Sequence, residues 1–363
     1  MKTMKTMKTM KTMKTMKSKL LKILLIFILI SSCSKDNPTP ISEGLYNDGY
    51  FIINEGNYGV GNGSISFVSE DGSVDHDVFY SNNLFQLGDV VQSMKIINDF
   101  AYIVVNNSSK IEVASADSIL YVSTIPLSSP RYITQVSEDK AYVTDWGING
   151  VQVIDLNTNT VTSSISCGNG PEGIVVSNGY AYICNSGGWG FDNTVTIINI
   201  ENDMVETTLT VGDKPSSAVV DYNGDVWVLS SGNTEYDADW NIINETAGSL
   251  VRISNNSIVD SYDFTVGNHP SDLVINDEGS TLYYSDGGWS KQVYSFDINQ
   301  TVLSNTSIIN RSFYSIAYNN GYIYGADAVN FSDQGWSYRY NSNGVIVDSV
   351  QTGIIPGDYC FTE

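Results

Sequence analysis

Histidine is nearly missing from this chain, at two of 363 residues, and only four cysteines and eight prolines accompany it. Two histidines cannot build a multi-histidine metal centre. The cysteines Cys33, Cys167, Cys184 and Cys360 show no CxxC or other metal spacing. Basic residues number 18 against 40 acidic ones, a balance that argues against nucleic acid or anionic headgroups as partners. No Gly-x-Ser-x-Gly elbow, His-Glu-x-x-His motif or phosphate loop is present, so no nucleophile with a partnered base can be read from the chain. Past the first 30 residues there is no long apolar run and no 3.6-residue period, which sets aside membrane helices and helical bundles.

What is present begins with an unusual leader. Residues 1–17 are a basic array of Met-Lys-Thr triplets, residues 20–30 are apolar except for Lys22, and Ile30-Ser31-Ser32-Cys33 follows. A basic segment, a short apolar segment and small residues before a cysteine form a secretory signal of the lipoprotein kind, over residues 1–32, with Cys33 as the lipidated first residue. An uncleaved signal anchor is the competing reading. Cleavage removes eight lysines and no acid, which takes the formal charge from −22 to −30. Such a surface suits metal cations and neutral or cationic ligands, and leaves membrane attachment to the lipid. Residues 33–45 read as a flexible tether. Ser34-Lys35-Asp36 resembles the short charged export signals of surface lipoproteins in Bacteroidetes.

Residues 46–363 alternate in short apolar runs broken by turn signals, and the runs repeat. A unit opens on a small residue or proline, continues into a strand of the type Ala141-Tyr142-Val143-Thr144-Asp145, then one like Val151-Gln152-Val153-Ile154-Asp155, and ends on a fourth. Pro130, Pro171, Pro215 and Pro270 open four successive units at spacings of 41, 44 and 55 residues, near the ~40–50 residues of a four-stranded propeller blade. The longest unit carries an inserted loop over residues 231–248. Seven units can be counted. The first, with runs at 50–55, 64–69 and 74–80, lacks an opening strand, and residues 355–361 supply a spare one. The expected fold is an all-β, seven-bladed β-propeller of four-stranded blades, closed by pairing of the C-terminal strand with the N-terminal blade. Cys184 and Cys360 fall within strands and read as small buried hydrophobes.

The Ala-Tyr-Val-x-Asn and Val-x-Val-Ile-Asp strands resemble those of YncE-like propellers. Phe51-Ile52-Ile53-Asn54-Glu55-Gly56, Leu87-Gly88-Asp89, Gln92-Ser93-Met94, Ser129-Pro130-Arg131-Tyr132 and Pro356-Gly357-Asp358-Tyr359-Cys360-Phe361 resemble the DUF5074 surface lipoproteins of Bacteroidetes. That group includes the BtuG-type corrinoid-binding proteins. The resemblance implies an outer-membrane, lipid-anchored, cell-surface binder that is not an enzyme. Its ligand would be a corrinoid such as vitamin B12, handed to a TonB-dependent transporter.

Five of the six tryptophans, Trp146, Trp189, Trp240, Trp289 and Trp336, follow equivalent strands in Gly-rich loops, with Tyr58 in the same place in the first unit and Asn106 in the second. In a propeller these loops share one face with the entries to the opening strands, which contribute Arg131, His269, Arg311 and Tyr359. An aromatic rim around a polar centre suits a large amphipathic ligand rich in amides or hydroxyls, a corrinoid or an oligosaccharide. The competing reading is tryptophans that only pack the rim. Trp227 replaces a strand tyrosine and reads as core. His76 reads as surface display, and His269 as a ligand contact or a structural hydrogen bond.

Two further readings stay open. Asp237, Asp239 and Asn241 resemble the start of a calcium loop, but its glycine is absent and Glu245 comes too early, so a solvated acidic loop competes. A lactonase-like hydrolase with a metal in the central channel would need acids such as Glu55, Glu172, Asp272 and Asp358 to converge there. A protein–protein scaffold or adhesin is the remaining class.

Overall fold

The computed structural model describes residues 45–362. The signal segment, Cys33 and the tether up to residue 44 lie outside the described residues. Seven antiparallel sheets form the expected propeller, each meandering outward from an inner strand. The inner strands are, in chain order, Val91–Ile97, Pro130–Ser137, Pro171–Ser177, Pro215–Val220, Ser271–Ile275, Ser315–Asn319 and Pro356–Phe361. Each packs against the next, and the last returns to the first, so the ring is complete. Closure comes from Pro356–Phe361 pairing with Gly49–Asn54 of the first blade, Phe51 opposite Cys360 and Ile52 opposite Tyr359. A ring closed this way leaves no exposed inner edge.

Two blades depart from the expected pattern. The first blade's outer strand is only Val74–Asp75, where the sequence suggested a run to Tyr80. The chain turns there into a six-residue helix, Val78–Asn83, bounded by left-handed residues Asp77 and Leu84, and it buries Val78 and Phe79. The sixth blade has three regular strands, and an isolated bridge between Val293 and Ile309 stands where the fourth would run.

The Ala-Tyr motif has a packing reason. The alanines Ala101, Ala141 and Ala181 are fully buried, where a larger side chain would meet the neighbouring sheet. The tyrosines bridge blades. Tyr102 donates its hydroxyl to Asn159 Oδ1 at 2.8 Å, Tyr142 to Asp203, and Tyr182 to Asn256 Oδ1 at 2.5 Å. Each acceptor sits in the turn between the third and fourth strands of the following blade, in left-handed backbone that Asn and Asp tolerate best. One repeated side chain thus fills the interblade core and ties it to the next unit. Trp227, fully buried as expected, donates Nε1–H to Asp221 Oδ2 at 2.9 Å instead. Cys184 and Cys360 are buried and free, and Cys167 is half-buried and free.

Candidate functional site

The strongly repeated polar residues turn out to hold the fold. Asn54, Asp145 and Asn185, each ending a second strand, are fully buried. Asp145 accepts the N–H groups of Ser128, Ser129 and Gly147, and Asn185 donates to Thr194 and Thr196. Asn106 belongs to this class: its amide donates to Ser129 Oγ and Pro130 O of the next blade, at 3.1 and 2.9 Å. The Asn106 amide nitrogen thus ties two neighbouring blades.

The residues that break the repeat line the central channel. Most inner strands begin with a register shift, at Val91/Ser93, Pro130/Ile133, Pro171/Ile174, Pro215/Ser217 and Ser271/Leu273. A β-bulge frees one or two residues from the ladder and re-aims their side chains. Here the freed positions are Gln92, Arg131, Tyr132, Glu172, Gly173, Ser216 and Asp272. Of these, Tyr132, Glu172, Gly173, Ser216 and Asp272 line a cavity of about 450 Å³, together with Lys95 and with Asp358, which lies opposite Ile53 on the closing strand. The bulged positions differ from blade to blade, so the fold does not dictate them.

At the channel mouth, Arg131 donates Nε–H to both carboxylate oxygens of Glu172 at 3.1 Å and Nη2–H to Oε1 at 2.7 Å. Its Nη1 donates to Gln92. The guanidinium lies 4.2 Å from the Trp146 ring centre, and Trp146 meets Trp189 edge to face at 6.0 Å. Gly188, with φ of +56°, lies flat on the Trp146 ring, and a Cβ there would come to 3.3 Å from it. Trp189 is 94% exposed. The sequence therefore placed Arg131, Trp146 and Trp189 correctly on one face, but their stacking order, buried ion pair beneath and free indole on top, belongs to the tertiary structure.

On the other side of the mouth, Tyr314 donates its hydroxyl to Glu55 at 3.1–3.2 Å. Burial raises the Glu55 carboxyl above its usual range against the opposing Tyr314 hydrogen bond. Burial lifts Asp358 to about 7 and Asp272 to about 6, the latter against the pull of Lys291. Lys291, which the sequence did not flag, donates to Ser271 Oγ at 2.7 Å, and burial lowers its own pKa. Carboxyls perturbed by desolvation in a cleft are candidates for a functional site. Among the described residues, no group of three or more His, Cys, Asp or Glu side chains is arranged to hold a metal ion.

The remaining candidates disperse. Tyr58 is 75% exposed on a loop pinned by Asn57 to Phe331 O and by Gly59 N–H to Asp89. Trp240 sits at the tip of the inserted loop, an unforeseen hairpin of Thr234–Tyr236 and Ile242–Glu245, and packs against Tyr236 at 6.0 Å. In that tip, Asp237 accepts from the N–H groups of Asp239 and Asn241 and from the Asn241 amide, so its carboxylate closes the turn. These bonds hold Asp237 below the usual carboxylate range. His269 joins the hairpin to the sixth blade through Glu245, Thr234 and Ser231 O, each at 3.0 Å.

Three placements need correction or stand apart. Trp336 is not in a loop: it lies in the strand Gln334–Asn341 opposite Asp327, because the seventh blade's third strand starts early. Tyr359 is buried, its ring among Tyr50, Tyr324 and Phe361 and its hydroxyl 2.9 Å from Ser337, because alternation on the closing strand turns it to the core and Asp358 to the channel. Arg311 packs 3.9 Å over Tyr338 and pairs with Asp327 at 3.3 Å. The Trp289 side chain lies outside the described residues.

Solved structures share this fold at low identity. A periplasmic gluconolactonase of Pseudomonas aeruginosa is 12% identical, with a TM-score of 0.64 over 87% of this chain and 99% of that one. A putative 6-phosphogluconolactonase of Bacteroides fragilis is 11% identical, with a TM-score of 0.64 over 90% and 100%. A quinonprotein alcohol dehydrogenase-like protein of Bacteroides thetaiotaomicron is 14% identical, with a TM-score of 0.64 over 88% and 79%. These likenesses are of fold alone. A PE-PGRS family protein of Mycobacterium tuberculosis is 64% identical over 36 residues, and the match spans 10% of this chain and 8% of that protein. The model for the domain of unknown function DUF5074 matches residues 48–352, and the chain belongs to that family.

Proposed function

We propose that the protein is a non-catalytic, lipid-anchored surface binder that captures a large amphipathic nutrient on the channel face for a TonB-dependent outer-membrane transporter. The observation that carries this reading is the Trp146–Trp189 stack: a 94% exposed indole, with its partner ring backed by the Arg131–Glu172 pair. An aromatic face held in place before binding contributes area at little entropic expense, and the polar mouth beside it orients amides. The lipobox at Cys33 supports the anchor, and the resemblance to corrinoid-binding members of the family supports a corrinoid as the ligand.

Titration calorimetry with cobalamin and a panel of glycans tests the reading. Binding is expected to weaken by roughly tenfold or more in Trp189→Ala, since truncating a central aromatic contact typically removes at least about 1–2 kcal/mol. Heat with glycans alone rejects the corrinoid and keeps the capture site. No heat with either, together with binding to a transporter or a cell surface, favours the scaffold reading, for which the exposed hairpin residues Trp240, Ile242 and Ile243 are the natural contact. The shared fold of the gluconolactonases makes lactone hydrolysis the activity to assay alongside.

A further inference from the structure

We propose that the seam between the seventh and first blades, on the face opposite the tryptophans, is a second binding site and that it takes a neutral sugar. Its assignment is independent of what binds at the Trp146–Trp189 platform.

Three seams of the ring are tied in one way. Tyr102, Tyr142 and Tyr182 reach Asn159, Asp203 and Asn256, each the last residue of the turn between the third and fourth strands of the next blade. Tyr283 and Tyr324 hold the same position in the sixth and seventh blades. The turns they face carry glycines at the equivalent left-handed position, Gly344 at φ +75° and Gly72 at φ +84°. Neither glycine has a side chain to accept a hydrogen bond. The sixth blade's own chain fills the first gap, since a Cβ on Gly344 would run into Ile308 O. Among the described residues nothing fills the second: a Cβ on Gly72 would meet no atom within 4 Å. A cavity of about 590 Å³ opens there, lined by Gly72 and Tyr324 and within the range of small-molecule sites.

The walls select the ligand. Tyr50, Tyr322 and Phe361 give the cavity an aromatic side, with the Tyr50 ring packed on Tyr324 at 5.0 Å. Among the described residues the Tyr324 hydroxyl donates to no side chain or carbonyl, and it opens on the cavity. Arg339, the one cation among the described lining residues, is already paired with Asp348, Nε to Oδ1 at 3.2 Å, and lies over the Tyr322 ring. Asp48, Glu70 and Asp71 stand exposed at the rim, so an anion is repelled. An ammonium group would satisfy those carboxylates but has no lone pair to take the Tyr324 proton. A sugar hydroxyl meets both demands. Its oxygen accepts from Tyr324, as the Asn or Asp of the tied seams does, and its proton goes to a rim carboxylate, while the C–H face of the sugar ring lies on the aromatic side.

Calorimetry with maltose, cellobiose and lactose at millimolar concentrations reads the site, and at least one of the three is expected to bind. Gly72→Asn keeps the left-handed turn, which asparagine tolerates, and places the missing acceptor beside Tyr324. It is expected to weaken that sugar by about tenfold or more. Tyr324→Phe keeps the ring and deletes one hydrogen bond, so it is expected to weaken the sugar by about two- to tenfold. Trp189→Ala is expected to leave the affinity unchanged. Circular dichroism confirms that each variant is folded, and Tyr324→Phe carries the test should the glycine variant fail to fold. The proposal is overturned by a parent that binds none of the three sugars, or by unchanged affinity in folded Gly72→Asn or Tyr324→Phe. Loss of binding in Trp189→Ala would also overturn it, by putting the sugar on the platform instead.

Discussion

Replacing Asp358 by Asn should make this protein more stable, by an amount that grows as pH rises from about 4 to 7 and is full at alkaline pH. Asp358 holds its proton to about pH 7 in the fold because the channel solvates its charge poorly. In the unfolded chain it ionises near pH 3.9. A raised folded value means the carboxyl's contribution is fully present below about pH 3.9 and is lost as pH rises through 7. Over that window the native state loses about 1.4 kcal/mol per pH unit relative to the unfolded chain, and about 4 kcal/mol in all. Water in the channel reduces this, so about 2–4 kcal/mol is the working range. Asparagine keeps the shape and still accepts from Met94 N–H, but never carries the charge. Thermal unfolding followed by circular dichroism at pH 4 and pH 8 is the assay. In a domain of this size 1 kcal/mol moves Tm by about 2 °C, so the variant should unfold about 4–8 °C above the parent at pH 8 and within about 1 °C of it at pH 4. Comparing variant with parent at each pH removes the contribution of the other acids. A variant less stable at pH 8, or shifted equally at both pH values, would show that Asp358 is well solvated and would refute the placement.

Two further expectations test the scaffold. Gly325→Ala should cost about 1–3 kcal/mol in urea unfolding, because a Cβ there would sit 2.5 Å from the Phe313 ring in the core of the seventh blade; an unchanged midpoint would mean that Phe313 moves freely. Tyr182→Phe should cost about 0.5–1.5 kcal/mol through the lost bond to Asn256, with a matching coupling energy in a cycle with Asn256→Ala; no coupling would mean that the tyrosine acts only by packing.

Much of the fold was legible because a propeller writes itself repeatedly. The buried Ala-Tyr strands recur since each blade faces the same problem, a tight interblade core with one polar group to satisfy, and Tyr102, Tyr142 and Tyr182 solve it alike. The complementary ends were legible because a missing inner strand and a spare one can only pair. The departures were not. The short outer strand with its helix at Val78–Asn83 and the bridge at Ile309 lie at the periphery, where burial constrains the pattern least.

The candidate site divides along the same line. Sequence alone determined that Trp146, Trp189, Arg131 and Glu172 share a face, because equivalent positions of equivalent units must. It could not place Trp336, Tyr359 or Asn106, since each depends on where one strand starts, which way it alternates, or which neighbour takes a hydrogen bond. Register shifts in the inner strands decide which side chains enter the channel, and the closed ring withdraws water from Glu55, Asp272 and Asp358. Those are long-range effects of seven strands meeting around one axis: a carboxyl that is ordinary in its own blade becomes a poorly solvated acid only once the other six surround it.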